Sequence, residues 1–600
     1  MKKLSAVLLL SLATAGSASA QPATGTTTNP VPQNPLPQNS VVQYSPQGWT
    51  AADRDTFYTT SQGSHMMPYL WFKALRRLDV DAPFAGDQLQ RYGYLANDKS
   101  KSNPEGLPVG FALDGDVSTG FLGMTCAACH TAQIEYQKNG ATQYLRIDGA
   151  PATADFQSFL IDLTAAARAT LSDAGRFQAF AHAVLGTRYS ATRTEALKTD
   201  FAAWVKQWGD FMDNSLPASP WGPGRLDAFG MIFNRVAGKD LAIPANLQSA
   251  DAPVSYPFLW NASKQDKTQW NGGVPNGLFI NALARNTGEV FGVFADFTPK
   301  KQLLPPHYNF RTNSVNFVNL QQLEEKISVL KPPPWPFDLN QDLVDKGRIL
   351  FAQNCGSCHE KKLLPNGTWL TPVDAAGTDP RMFANSLRSS QTGVLAGALS
   401  PNPPGSTLSN PAATSDVLAT AVVGALFDDA FPQLPRLPNP KTSGVWQAIN
   451  KDFADLLPEL QNTSLLKLAL DRSMVANVKT HVQDRLSNMF KPPNPDAPAA
   501  YEARVLYGIW ATAPYLHNGS VPNLWELLLP PERRSASFMV GSKTYDAKNV
   551  GYVTDASPFK SGTLVVGTGA APGNSNAGHD YSRNLSDDDR WALLEYLKQL

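Results

Sequence analysis

All four cysteines of this chain fall in two copies of one short pattern, C-x-x-C-H, at residues 126–130 and 355–359. Four cysteines in an exported chain usually indicate two disulfides, but a disulfide has no use for an adjacent histidine in both copies. The repeated pattern therefore constrains this chain more strongly than its length or composition.

The spacing of the pattern has a chemical reason. Two thiols three positions apart can form thioether bonds to both vinyl groups on one porphyrin edge, and the following imidazole then lies beneath the iron. A thioredoxin-like motif needs neither the histidine nor a second copy, and a structural zinc site needs four ligands. We therefore predict two covalently bound haem c groups, with iron as their metal. Their expected attachment residues and proximal ligands are Cys126, Cys129, His130, Cys355, Cys358 and His359.

Composition narrows the class of protein. With 600 residues, the chain is expected to form at least two domains. Hydrophobic residues are 42% and charged residues 17%, which excludes a mainly disordered chain. The 51 basic and 51 acidic residues cancel, so no basic field exists to hold nucleic acid, and we expect no nucleic-acid partner.

The N-terminus has the pattern of a secretory signal. Two lysines precede an apolar stretch, and small residues follow at positions 18–20, which predicts a signal peptide over residues 1–20. Residues 21–48, rich in Pro, Thr, Gln and Asn, are expected to form a flexible linker. The longest other apolar run, residues 418–427, is too short to span a bilayer. The mature chain is therefore predicted to lack a transmembrane segment and to be periplasmic or secreted.

The second motif has surroundings typical of a cytochrome c. A proline-rich stretch at residues 331–336 indicates a domain boundary near residue 330. Residues 338–354 predict a helix that ends at the motif, and Gly347 allows close packing on it. Ser586 and the acidic residues after it predict the start of a C-terminal helix that packs across the first. Residues 331–600 are therefore predicted to be a C-terminal cytochrome c-like haem domain.

The first motif lacks such a lead-in helix. Residues 110–124 are punctuated by glycine and predict a loop or short strand. Helices are expected around residues 152–181 and 194–211. Residues 49–330 are predicted to be an N-terminal haem c domain that carries the active haem. The expected fold class is mainly α, with two cytochrome c-like haem domains, long loops and minor β structure.

The remaining histidines are candidates for sixth iron ligands or for acid and base chemistry. They are His65, His182, His307, His481, His517 and His579. His579 lies just before the last helix, where small cytochromes c carry their sixth ligand, so we predict that it binds the C-terminal iron. His517 is its rival, either as a ligand or as a group near the haem edge.

No comparable ligand is evident for the first iron. Met124 is adjacent to the motif, and His65 and His182 lie in apolar helical settings. We infer a five-coordinate iron there. A six-coordinate haem suits electron transfer, whereas an open position can bind dioxygen or peroxide.

An aromatic segment at residues 256–297 is either core or an apolar wall over the open haem. Its aromatic members are Phe258, Trp260, Trp270, Phe279, Phe291, Phe294 and Phe297. Trp270 or Trp260 is expected near the path between the haems. Arg285 is expected either to pair with a haem propionate or to polarise bound oxygen.

The chain resembles exported dihaem cytochromes related to bacterial cytochrome c peroxidases and to the maturation enzyme of methylamine dehydrogenase. Within that group it is most similar to the rubber oxygenase (RoxA-like) and unsaturated fatty-acid dioxygenase branch. The likeness rests on both haem motifs, on residues 501–528, on the segment from Gln269 to Gly288, and on residues 578–579 with the final helix.

The resemblance implies that the N-terminal haem binds dioxygen, that His579 ligates the other iron, and that a carbon–carbon double bond is attacked. The implied substrate is an apolar alkene or lipid, either an unsaturated fatty acid or polyisoprene, with O2 as co-substrate. A small cytochrome or cupredoxin is a further expected partner, as an electron donor. Trp270, Arg285 and His517 are the predicted catalytic residues. A calcium ion is suggested by analogy, without a ligand-dense loop to hold it.

Three functions remain open from the sequence. The first is the dioxygenase. The second is a dihaem cytochrome c peroxidase that reduces hydrogen peroxide and needs a distal acid or base, for which Glu289, His65 and His182 are candidates. The third is an electron-transfer cytochrome with both irons six-coordinate.

Overall fold

The computed structural model describes residues 40–303, 307–360, 369–401, 406–430 and 499–600, apart from residues 278 and 568. The predicted signal peptide, most of the predicted linker and His481 lie outside the described residues. Helices supply more of the described residues than strands do, which agrees with the expected mainly α class.

The described helices are α1 Ala51–Thr59, α2 Tyr69–Ala74, α3 Phe156–Ser172, α4 Ala174–Leu185, α5 Ala191–Ser215, α6 Ala228–Phe233, α7 Phe279–Gly292, α8 Phe317–Val329, α9 Gln341–Asn354, α10 Gly356–His359, α11 Val373–Ala376, α12 Arg381–Ser386, α13 Thr414–Ala430, α14 Leu524–Leu527 and α15 Asp587–Gln599. The described strands are β1 Val42–Tyr44, β2 Met67–Pro68, β3 Phe111–Asp114, β4 Phe121–Met124, β5 Thr131–Lys138, β6 Ala141–Asp148, β7 Arg225–Leu226, β8 Val254–Ser255, β9 Lys267–Thr268, β10 Val274–Pro275, β11 Lys300–Lys301, β12 Tyr308–Asn309, β13 Trp369–Pro372, β14 Ser389–Ser390, β15 Leu399–Ser400, β16 Ser406–Thr407, β17 Ala412–Ala413, β18 Ala500–Ala503, β19 Ser537–Met539, β20 Tyr545–Asp546, β21 Gly551–Tyr552 and β22 Thr563–Val565.

The helix expected around residues 152–181 is two helices, α3 and α4. Asp173 ends the first, and its carboxylate accepts a hydrogen bond from the backbone of Arg176 at the start of the second. An aspartate that bonds the free amides of a first helical turn favours a new helix start over continuation. The apolar periodicity continues across this break, so periodicity alone did not reveal it.

Helices α9 and α15 pack against each other as the sequence predicts. The β-carbon that any other residue would carry at Gly347 would lie 2.0 Å from the carbonyl oxygen of Ala592. Phe351 and Tyr596 have ring centres 5.3 Å apart, and Lys346 pairs with Asp589 at 2.7 Å. Because α9 runs directly into the second haem motif, this contact positions that motif.

The end of the predicted linker is ordered. Strand β1 pairs in parallel with β6, with Val42 opposite Tyr144, and β5 continues the sheet on the other side of β6. The Gln47 amide donates to the carbonyl of Asp148 at 2.8 Å and accepts from its backbone N–H at 2.9 Å. Backbone pairing at a sheet edge depends little on which polar side chains are present.

The described residues bury three large apolar cores. One lies among α2 to α5, and a second among α6, α7, α8 and α13. The third takes Ile327 and Leu330 from the end of α8 together with Leu593 and Leu594 from α15, and Cys126 and Cys355 border it. Packing therefore continues across residue 330, and both haem motifs adjoin the same core.

In the part of the chain that the structure describes, no helix combines the length and apolar character that crossing a membrane requires.

Candidate functional site

Both C-x-x-C-H motifs form the same tight turn. The backbone N–H of His130 donates to the carbonyl of Cys126 at 3.0 Å, and that of His359 donates to the carbonyl of Cys355 at 3.0 Å. The first turn follows β4, as the glycine-punctuated sequence predicts, and the second follows α9. None of the four cysteines forms a disulfide. Each motif therefore presents two free thiols and an imidazole from one turn.

The imidazole of His359 is oriented by a backbone carbonyl. Its Nδ1 lies 2.6 Å from the carbonyl oxygen of Arg504. Because a carbonyl only accepts, Nδ1 must carry the proton, and Nε2 keeps its lone pair for a metal. Arg504 is held in turn, because its guanidinium donates to the carbonyl of Phe258 at 3.1 Å and lies 4.2 Å from the ring centre of that residue.

His579 lies across from His359. The two ring centres are 6.4 Å apart and the ring planes are inclined by 55°. An iron bound by two imidazoles through bonds of about 2 Å holds the ring centres roughly 6 Å apart. Burial, reinforced by neighbouring His359 and Arg534, lowers the pKa of His579 to about 3. The neutral imidazole that results is the form that binds metals.

A cavity of about 230 Å³ surrounds this histidine pair. Its walls come from α10, the strand pair β13 and β18, residues 504–517 and the loop before α15. The side chains that line it include Cys355, Cys358, His359, His579, Trp270, Tyr256, Tyr501 and His517. The donor set, two thiols with two facing imidazoles around a cavity, fits a haem c.

Two of the predicted catalytic residues, Trp270 and His517, line this same cavity. The indole N–H of Trp270 donates to the carbonyl of Ser255 at 2.8 Å. The ring of His517 lies 4.2 Å from that of Tyr501, and burial lowers the pKa of His517 to about 3. His517 is thus a neutral group in the cavity wall, and among the described histidines it is His579 whose ring faces His359.

The first motif is more deeply enclosed. The thiol of Cys126 donates to the side-chain oxygen of Gln62 at 3.3 Å. Burial raises the pKa of Cys126, and the carboxylates of Glu289 and Glu324 raise it further. Burial lowers the pKa of His130 to about 4, against the opposing effect of the backbone of Pro257. Two thiols and a neutral imidazole again form the donor set that a haem c requires.

Arg285, the third predicted catalytic residue, lies on the side of the first motif. Its guanidinium donates to Asn276 at 2.8 Å and to Glu324 at 2.8 Å. Burial by itself lowers the pKa of Arg285, but Glu324 and Glu289 raise it above its usual value. Gln269 donates to Glu289 at 3.1 Å. Arg285 is not among the residues that line the cavity around His359, whereas Trp270 and His517 are.

Tyr256 lies between the two sites. Its ring is edge-on to the imidazole of His130, with centres 6.1 Å apart, and its side chain also lines the cavity around His359. Sequence reasoning did not select Tyr256 individually, because one buried tyrosine in an aromatic segment looks like core. Arg504 was missed for a different reason: its backbone carbonyl orients His359, and a backbone group leaves no sequence signal.

The other described histidines are engaged elsewhere. His65 bonds Asp114 through Nε2 at 2.6 Å and Asp296 through Nδ1 at 2.7 Å. His182 is exposed and stacks on Tyr189, and His307 is exposed. Among the described residues, the aromatic ring next to His130 is that of Tyr256, and no histidine ring is paired with it.

The aromatic segment does not form one wall. Phe258 and Trp260 stack in the core shared by the two motifs, Phe291 and Phe297 lie in the core around α13, and Phe294 lies in the core around α5. Phe279 packs against the α13 core, and Trp270 lines the cavity. Most of these rings are core residues, because successive parts of the segment pack into three different cores. Within the described residues, no group of three or more His, Cys, Asp or Glu side chains is arranged to hold a metal ion such as calcium.

A family model described as RoxA-like, cytochrome c-like matches residues 500–539, the segment that carries Tyr501, Arg504 and His517. This match supports a relation between the segment and the RoxA-like cytochrome family. It implies covalently bound haem c and indicates a haem-dependent oxidoreductase.

Two curated proteins of Sinorhizobium fredii (strain NBRC 101917 / NGR234) are similar to this chain. The uncharacterized protein y4iJ is 29% identical over 93% of this chain and 93% of its own length. The uncharacterized protein y4iM is 25% identical over 64% of this chain and 69% of its own length. The first similarity extends along nearly the whole chain, so the likeness is not confined to the matched segment.

Proposed function

We propose that this protein is an exported dihaem c-type dioxygenase, periplasmic or secreted, that attacks a carbon–carbon double bond of an apolar substrate. The observation that carries the proposal is the unequal surroundings of the two motifs. His579 faces His359, whereas among the described residues the ring next to His130 belongs to Tyr256 and not to a second histidine. A closed iron suits electron transfer, and an open one suits binding of dioxygen.

The haem at His130, when bound, supplies the iron that activates dioxygen. The residues of this chain supply enclosure and fixed charges. Arg285 is held by Asn276 and Glu324, so its cation stays beside the motif. A dioxygenase places both oxygen atoms in its product, so turnover consumes no external electron. Desolvation raises the pKa of Cys126 and lowers that of His130, which indicates an apolar setting and favours an apolar alkene, either an unsaturated fatty acid or polyisoprene.

A haem held by Cys355, Cys358, His359 and His579 would store electrons for the site at His130. Tyr256 contacts the ring of His130 and also lines the cavity around His359, and Trp270 lines the same cavity. Aromatic rings between two haems shorten the path that an electron travels through saturated groups. A small cytochrome or a cupredoxin is the proposed electron donor, which would reduce the irons before turnover begins, because turnover itself consumes no electron.

One observation favours a second candidate, a cytochrome c peroxidase. Glu289 lies near enough to Cys126 for its charge to raise the pKa of the thiol, and burial raises the pKa of Glu289 itself. A carboxyl group with a raised pKa beside an open haem is the acid or base that peroxide cleavage requires. That reaction converts hydrogen peroxide, two protons and two electrons from the donor into two waters.

Measurement of oxygen uptake distinguishes the dioxygenase from the peroxidase. The purified holoprotein is mixed with oleic acid, and separately with polyisoprene latex, while dissolved oxygen is recorded. Alkene-dependent uptake, with oxidised products detected by mass spectrometry, is expected. Rapid loss of hydrogen peroxide with a reduced small cytochrome, and no alkene-dependent uptake, would establish the peroxidase instead.

The two motifs provide matched controls. Cys129→Ser and Cys358→Ser each impair one haem attachment site by the same chemical change. We expect Cys129→Ser to abolish alkene-dependent uptake, because it affects the open site. Uptake that survives in Cys129→Ser but disappears in Cys358→Ser would assign dioxygen to the other haem and contradict the proposal.

A further inference from the structure

The backbone that carries His579 has an unusual conformation. Gly578 and His579 have φ angles of 76° and 52°, so both lie in the left-handed region. Histidine at positive φ is strained, and such a residue persists only where surrounding contacts over-determine it. One contact is the hydrogen bond from the His579 backbone N–H to the carbonyl of Ala376 at 2.7 Å.

The guanidinium of Arg534 supplies the others. It donates to the carbonyls of Asn576 at 2.6 Å, Gly578 at 2.8 Å and His579 at 3.2 Å. Its remaining bonds go to the carbonyls of Leu527 at 3.3 Å and Leu529 at 3.1 Å. A guanidinium has five N–H donors, and here all five go to backbone carbonyls. Arg534 thus joins the α14 segment to the loop that carries His579.

The charge of Arg534 is not used for an ion pair. Arg534 is buried, and among the described residues no carboxylate lies within salt-bridge distance of it, although Asp580, Glu526 and Glu532 are near enough to oppose the lowering of its pKa by burial. Its neighbour Arg533 is half-exposed and pairs with Asp587 at 3.3 Å. The geometry of the five donors therefore explains why an arginine lies here.

We propose that Arg534 is a positioning residue that holds His579 at the sixth position of the C-terminal haem. This inference rests on the proposed ligation by His579. A lysine has one nitrogen on a flexible stem, and it cannot reach α14 and the three loop carbonyls together. Without the guanidinium of Arg534, the loop relaxes from its left-handed conformation and the imidazole of His579 moves away from His359.

The test compares Arg534→Lys, Arg534→Ala and a matched control, Arg533→Gln, with the wild-type holoprotein. Electron paramagnetic resonance records the low-spin signal of the iron bound by two histidines. Hydrogen exchange with mass spectrometry follows the amides of residues 576–580, which reports on the loop independently of activity. Added imidazole then shows whether an open position has appeared in a haem pocket that is still folded.

We expect Arg534→Lys to fold, to lose the low-spin signal partly or wholly, to exchange the loop amides faster and to regain the signal with imidazole. Arg533→Gln should match the wild type. A folded Arg534→Lys with an unchanged signal and unchanged exchange would overturn the role of Arg534. A wild-type protein without that signal would overturn the ligation by His579 on which the role depends. If Arg534→Ala does not fold, Arg534→Lys alone decides.

Discussion

The imidazole rings of His359 and His579 lie 6.4 Å apart, centre to centre, although 220 positions separate them in the chain. One ring comes from the turn after α9 and the other from the loop before α15. Because α9 and α15 pack closely at Gly347, the two rings are brought together by the same helix contact that builds the domain. The proposed ligation and the fold therefore depend on each other.

Replacement of His579 by alanine should open the C-terminal iron. The low-spin signal is expected to disappear, because no other described imidazole faces His359. His517→Ala is the matched control, since it removes a buried histidine from the same cavity wall. Loss of the signal in His517→Ala with retention in His579→Ala would show that His517 is the ligand.

Replacement of Gly347 by alanine should destabilise the contact between α9 and α15. The new β-carbon would lie 2.0 Å from the Ala592 carbonyl, so the helices must separate. We expect the free energy of unfolding to fall by about 2–4 kcal/mol, measured by urea denaturation. Gly288→Ala is the control, because the nearest atom to its added β-carbon is a side-chain carbon of Val422 at 3.7 Å. Equal losses in both variants would contradict the packing argument.

Arg285 and Glu324 should behave as a coupled buried pair. Arg285→Met leaves the Glu324 carboxylate buried without its cation, which is expected to lower stability by about 3–5 kcal/mol. Adding Glu324→Gln to that variant should recover part of the loss, because the uncompensated charge is removed. Chemical denaturation of the two single variants and the double variant measures the coupling. Strictly additive losses would mean that the pair does not interact.

The His65 site should make stability depend on pH in alkaline solution. Burial alone lowers the pKa of His65, but hydrogen bonds to Asp114 and Asp296 raise it to about 9. A folded-state pKa above the unfolded value of about 6.5 gives a stabilisation that is complete below pH 6.5. It is lost as pH rises through about 9.

Urea unfolding near pH 6 and near pH 9.5 tests this prediction. The wild type should lose roughly 1–2 kcal/mol more than His65→Gln over that range, a figure reduced for screening of a partly exposed pair. His182→Gln, a change at an exposed histidine, should follow the wild type. Identical pH profiles for the wild type and His65→Gln would refute the linkage.

Local features were predictable from the sequence. The spacing within C-x-x-C-H determines the turn at Cys126 and at Cys355, because its hydrogen bond joins residues only four apart. The cap at Ser586 determines where α15 begins, because its hydroxyl accepts from the backbone of Asp589. The break at Asp173 was also local, but an uninterrupted apolar period concealed it.

Contacts between distant segments were not predictable in this way. The sequence indicated His579 by its place before the last helix, yet the carbonyls that orient it toward the cavity are bound by Arg534, 45 positions earlier. A backbone carbonyl is the same chemical group at every residue, so neither that contact nor the one from Arg504 to His359 has a sequence pattern. His65 likewise looked available until Asp114 and Asp296 bonded both its nitrogens.

The sequence by itself therefore determined the repeated set of two thiols and an imidazole that haem attachment requires, because that set depends on residue types a few positions apart. Only the tertiary structure decided which side chains surround each motif. It joined Trp270 and His517 to one cavity and left Arg285 with the other motif. The reason is physical: these positions follow from the burial of three cores, and burial depends on apolar residues distributed over the whole chain.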